Sequence, residues 1–202
     1  MGRTDLATKP HLVFSCFLTD VYNVATALGE TARRDNGSVY QMISRPLDLE
    51  EVSFGEPGSS ARKKKAVIFE AQADPVCTVL VSNIADGWHT LVNVLSARLQ
   101  VLCIQINSTA DGVSNAFNKF EVQLPGVESR VVHALEDGDR WVFFEKGPVQ
   151  AFESPEHYKK RRIRDRLRRQ DLMAYLEALG IDAQGEDFWN ENGRLGVYLL
   201  QV

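Results

Sequence analysis

Between Lys65 and Gly147 the chain carries six short apolar runs: KAVIFEAQ, PVCTVLVSN, VLCIQIN, NKFEVQL, SRVVHAL and RWVFFEKG. They are rich in β-branched and aromatic residues, which suit a pleated, half-buried surface. Turn-forming pairs separate several of them, Asp74-Pro75 and Asp137-Gly138 among them. Strands this short are stable only when they share a sheet. VLCIQIN, with little polar interruption, reads as an interior strand. The Asp137-Gly138 pair predicts a type I′ hairpin joining the last two runs. By alternation, Trp141 and Phe143 share one face of the final strand, and Phe144 takes the other.

Helical spacing appears twice upstream of these strands or between them. Thr19 or Asp20 can cap a helix carrying Val21, Val24, Ala25 and Leu28, after a strand at His11 to Leu18. Asp86 can cap a second helix with Trp88, Leu91, Val92, Leu95 and Leu99 on one face. Short strands are expected at Val39 to Ser44 and at VQAFE, and a last one at Leu195 to Val202. The expectation is an α+β fold in a single domain over residues 1–202. It has a mostly antiparallel sheet, two amphipathic helices on one face and a C-terminal helical segment. Residues 47–65, LDLEEVSFGEPGSSARKKK, read as a mobile surface loop. Residues 11–72 and 76–135 echo one another as strand–helix–strand–strand, the pattern of either a duplication or ordinary two-layer packing.

Charge is distributed unevenly. Net charge is −4, yet eight of the eleven residues from Lys159 to Arg169 are basic and only Asp165 is acidic. The remainder carries 15 basic and 26 acidic residues, or −11. Pro155 behind Ser154 suggests a helix start, so a basic helix is expected over 155–169. Ile163 and Leu167 would anchor it, and a bend near Gln170-Asp171 would place Asp171 as a new cap. Arginine outnumbers lysine in the run, and its planar fork suits carboxylate or phosphate. Arg161, Arg162, Arg164 and Arg168, with Trp141 on the sheet, are therefore the candidate binding residues.

Catalytic and cofactor signatures are missing. There is no GxxxxGK[ST] or GxGxxG phosphate loop and no GxSxG elbow, and the four histidines and three cysteines lack metal-ligand spacing. No catalytic residue, cofactor or metal is assigned. Cys103 and His133, on neighbouring expected strands, sketch a thiolate–imidazole pair as an alternative enzyme reading. Cys16, Cys77 and Cys103 each sit in an apolar segment, as buried free thiols do in a reducing cytoplasm. No run approaches the roughly 18 apolar residues of a membrane span, so no membrane partner is expected. The N-terminal residues are expected to form a strand and not a signal peptide.

The run RWVFFEKGPVQAFE, the basic segment and YLEALGI together resemble, in texture, small bacterial cytosolic proteins of the immunity or accessory type. The expected function is a non-enzymatic interaction protein whose basic helix docks an acidic protein partner. Nucleic-acid binding through the same helix is the alternative. Composition does not specify an oligomeric state.

Overall fold

Hydrophobic alternation places two sets of side chains on opposite faces of the strands, and both faces are covered. The computed structural model describes residues 9–34, 37–52, 63–72, 76–185 and 187–202. In chain order the elements are β1 (His11–Phe17), α1 (Val21–Arg34), β2 (Tyr40–Pro46), β3 (Lys65–Ala71), β4 (Cys77–Ser82) and α2 (His89–Leu99). There follow β5 (Cys103–Thr109), β6 (Phe117–Gln123), β7 (Arg130–Asp137), β8 (Arg140–Lys146), α3 (Arg169–Ala178) and β9 (Leu195–Gln201). Among the described residues, nine strands form one antiparallel sheet in the order β2-β9-β3-β4-β1-β5-β6-β7-β8. The α+β class holds.

One face carries Phe17, Ile68, Leu80 and Cys103, and packs against Val24 and Leu28 of α1 and Leu91, Val92 and Leu95 of α2. Their spacing of three and four residues aligns each set along one side of its helix. Asp20 caps α1, its carboxylate accepting the Asn23 backbone N–H at 2.9 Å. Asp86 does not sit directly before α2. Its Oδ1 accepts the Trp88 N–H at 2.9 Å, Trp88 takes the left-handed region (φ 59°), and the helix starts at His89. Trp88 is thus outside the helix, its ring beside Tyr40 and beneath the Lys64 ammonium.

The opposite face, with Phe14, Phe69, Ile104, Phe120 and Val132, is covered by the C-terminal chain: Tyr158, Leu167, Leu172, Tyr175, Phe188 and Trp189. β9 then enters the sheet between β2 and β3. The echo between the two halves does not extend to topology. α1 joins β1 to β2 across three intervening strands, whereas α2 joins β4 to β5 across β1 alone. A simple tandem duplication would give both units the same crossing.

Several expectations need correction. Residues 47–52 are not a mobile loop: Leu47, Leu49 and Val52 are buried, and Tyr198 Oη accepts the Asp48 N–H at 2.7 Å. Glu191 accepts the Leu49 N–H at 2.6 Å. Residues 63–65 are likewise tied to β9 and Asn83, while 53–62 lie outside the described residues. The VQAFE segment is irregular, ending in a turn at 151–152, because the Glu153 carboxylate accepts the Gln150 N–H and closes a local loop.

The hairpin lies where expected but with a different turn. Asp137 pairs with Arg140, so the two loop residues are Gly138 and Asp139, and of these only Gly138 has positive φ (61°). That is the sign pattern of type II′, which wants glycine at the first loop position. Apart from Gly138 and its two chain neighbours, no heavy atom of a described residue lies within 4 Å of where a Gly138 Cβ would stand. Gly138→Val should therefore cost about 1–3 kcal/mol from backbone strain alone. An unchanged denaturation midpoint would contradict the turn assignment.

A buried ion cluster binds the C-terminal layer to the sheet. Arg130 is 2% exposed, and its guanidinium donates to Glu153 (3.0 and 2.9 Å), Glu145 (2.8 Å) and the Gly147 carbonyl (3.0 Å). Tyr158 donates its hydroxyl to Glu153 at 2.8 Å, and Tyr175 lies 3.1 Å from Tyr158. Each donor direction of the guanidinium is used, which is the condition for burying such a charge.

Candidate functional site

The basic run departs from the expected helix. No α-helix forms over 155–168. The chain makes two 3₁₀ turns, His157–Lys159 and Ile163–Asp165, separated by extended backbone at Lys160 and Arg162. Adjacent cations repel along a helix surface, and only two apolar residues would hold it to the core. Tertiary anchors set its course instead. Tyr158 and the Arg166 guanidinium both lie against the Phe143 ring, each 5.4 Å from its centre. Leu167 is fully buried. Asp171 sits within α3, where its carboxylate accepts the Arg168 N–H at 2.8 Å across the first turn.

These anchors divide the eight cations. Arg169 is spent on backbone carbonyls, donating to Lys9 at 2.7 Å and Ser108 at 2.9 Å. Arg166 donates to the Lys160 carbonyl at 2.9 Å, and Arg168 pairs with Asp165. The side chains of Lys159, Lys160, Arg161, Arg162 and Arg164 make no hydrogen bond or ion pair with a described residue.

Arg162 and Arg164 flank Ile163 and line one surface hollow with it and Trp141. Together with Arg168, the loop 109–114, Asn118 and Glu136, they enclose an open groove of about 570 Å³. Trp141 pairs with Glu136 across β7 and β8, on the same face as Phe143, as alternation requires. Of the five residues singled out from sequence, Trp141, Arg162, Arg164 and Arg168 meet here, whereas Arg161 lies exposed outside the groove. The field in the groove is cationic but not uniform. Asp165 has its carboxyl held below the ordinary range, first by the hydrogen bond from Arg168 and then by the charges of Arg168, Arg164 and Arg162. Asp111 lies on the loop wall, and Glu136 accepts the Ala116 N–H at 3.3 Å. Such a site can fork onto carboxylates and cover a side chain with an indole ring.

Cys103 and His133 do not meet. Cys103 pairs with Gln123 on β6 and His133 with Lys119, so they lie two strands and four residues apart, roughly 16 Å from strand spacings alone. Cys103 is fully buried, and burial pushes its thiol well above the ordinary range. It should react with maleimide in the native protein far more slowly than a free thiol, and equal rates would contradict its placement. Among the described residues, no group of three or more His, Cys, Asp or Glu side chains is placed to hold a metal ion. No helix there is long and apolar enough to cross a membrane.

His133 instead stacks between Phe117 and Phe144 on the outer strands, at 6.4 and 5.1 Å between ring centres. Burial, and secondarily the Lys119 charge, lower its affinity for a proton. The unfolded chain takes up that proton near pH 6.5 and the folded protein only at lower pH, so stability must fall as pH drops below about 6.5. His133→Phe should flatten that part of a melting-temperature profile, and an unaltered profile would contradict this assignment.

A second polar cluster escaped sequence reasoning. On the helix-covered face, Glu121 is bonded to His89 and Lys119, each at 3.0 Å, and Gln105 donates to Asn93 at 3.0 Å. Burial alone would raise the Glu121 carboxyl, but Lys119, His89 and Gln123 outweigh it and hold it below the ordinary range. The available signal was the alternation of Gln105 and Asn107 with Ile104 and Ile106. With both sites in view, comparison shows that the chain matches no family model, no curated protein and no solved structure.

Proposed function

We propose that this protein is a non-enzymatic, cytoplasmic interaction protein, of the immunity or accessory kind, whose groove docks an acidic segment of a protein partner. The observation that carries the reading is the pair Arg162 and Arg164, which have no hydrogen-bond or ion-pair partner among the described residues and line the groove together with Trp141. Retaining two unpaired forks beside an aromatic ring makes sense when carboxylates arrive from outside. Asp111 and Glu136 leave the cationic patch in the groove short and interrupted, which accommodates a few carboxylates on Arg162 and Arg164 better than the continuous phosphate track of a nucleic acid.

The test uses two probes matched in charge, an acidic Glu-rich peptide and a single-stranded oligo(dT). Binding is followed at the Trp141 indole N–H resonance. The peptide is expected to shift that resonance and to bind more tightly than the oligonucleotide at physiological salt. Tighter oligonucleotide binding, with its steep fall in salt, would replace this reading with nucleic-acid binding.

A further inference from the structure

The sheet face opposite the groove holds a second cavity, of about 240 Å³, between the start of α2 and strands β1, β5 and β6. Its floor is two rows of register partners: Ser15 and Gln105 in one, Asn107 and Lys119 in the next. Ser15 is 1% exposed and Gln105 8% exposed. The Ser15 hydroxyl makes no hydrogen bond to a described residue. The Gln105 amide nitrogen is spent on Asn93 at 3.0 Å, and that of Asn107 reaches the Ala85 carbonyl only at 3.5 Å. Neither amide oxygen accepts a hydrogen bond from a described residue. Ser15 and Gln105 are more than nine-tenths buried, so the cavity they line is where their open hydrogen-bonding positions can be met, by water or by a guest. Lys119 is paired with Glu121, and the Asp86 carboxylate lines the same cavity, so no unbalanced cation is left to call for an anionic guest; Phe117 supplies an aromatic wall.

We propose that this cavity binds a small neutral heterocycle with adjacent N–H and carbonyl groups, the lactam edge found in guanine and uracil. The lactam N–H would meet the Gln105 or Asn107 oxygen, guanine's amino group could meet the other, and the carbonyl would take the Ser15 hydroxyl or the Lys119 ammonium. Base edges exposed in a pocket are read by hydrogen bonds from side chains, and base faces stack on aromatic rings. The volume lies below that of drug-sized sites, which start near 300 Å³, and suits a base or nucleoside.

The test titrates the intact protein with guanosine, uridine and adenosine, the last lacking the lactam, while backbone amide resonances are recorded. Guanosine or uridine should shift the amides of Gln105, Asn107, His89 and Phe117, with adenosine at least tenfold weaker. Asn107→Leu, and separately Ser15→Ala, should weaken that binding about tenfold or more with the melting temperature little changed. Arg162→Glu with Arg164→Glu, on the other face, should leave it intact. No shift at these amides with any nucleoside at millimolar concentration means a water-filled cavity and overturns the proposal. Equal binding of adenosine overturns it as well.

Discussion

Arg130→Met is expected to destabilise the protein by about 3–5 kcal/mol, because it strands the Glu153 carboxylate, which is 0% exposed, without its charge partner. For a chain of this length that corresponds to a fall in melting temperature of roughly 6–20 °C. The lost energy belongs less to the attraction than to the unpaired charge left behind. Arg130→Met combined with Glu153→Leu should therefore recover much of it, since an apolar pair needs no compensation. A double variant as unstable as the single one would mean that Arg130 acts through its bonds to Glu145 and the Gly147 carbonyl instead. The effect should also reach the groove. Glu153 holds Tyr158, Tyr158 covers Phe143, and from there the chain runs on to Arg162 and Arg164.

Trp141→Ala should weaken binding of the acidic peptide by about 2 kcal/mol or more, near thirtyfold, as aromatic anchors at interface centres do. Stability should fall far less than with a core aromatic, because the ring is only partly buried against the core. Affinity within twofold of wild type would show that Trp141 is a wall and not an anchor.

The sheet was legible because its signals are local. The apolar runs from Lys65 to Gly147 became β3 to β8, with Gly138 marking the hairpin. The basic run was not legible, because its shape is imposed from a distance. Phe143, Tyr158 and Glu153 determine where it lies, and none of these contacts leaves a periodic trace. Residues 47–52 were misjudged for the same reason: Tyr198 and Glu191, about 140 or more positions away in the chain, hold them down. Arg162, Arg164 and Trp141 could be chosen from residue type. Their common groove required the loop 109–114, which sequence alone did not connect to them. The polar rows on β5 and β6 were hidden inside a strand whose isoleucines suggested a wholly apolar interior.

The central claim is that the groove, and not overall positive charge, receives the acidic partner. The direct measurement compares two equal charge reversals for affinity to the Glu-rich peptide. One is Arg162→Glu with Arg164→Glu inside the groove; the other is Lys159→Glu with Arg161→Glu outside it. None of the four side chains has an ion pair or hydrogen bond with a described residue, so both variants should melt near wild type. Loss of most of the affinity in the first, with the second reduced by no more than a few-fold, is the predicted result. Equal losses in the two variants would contradict the groove, and unchanged affinity in both would remove the basic segment from function.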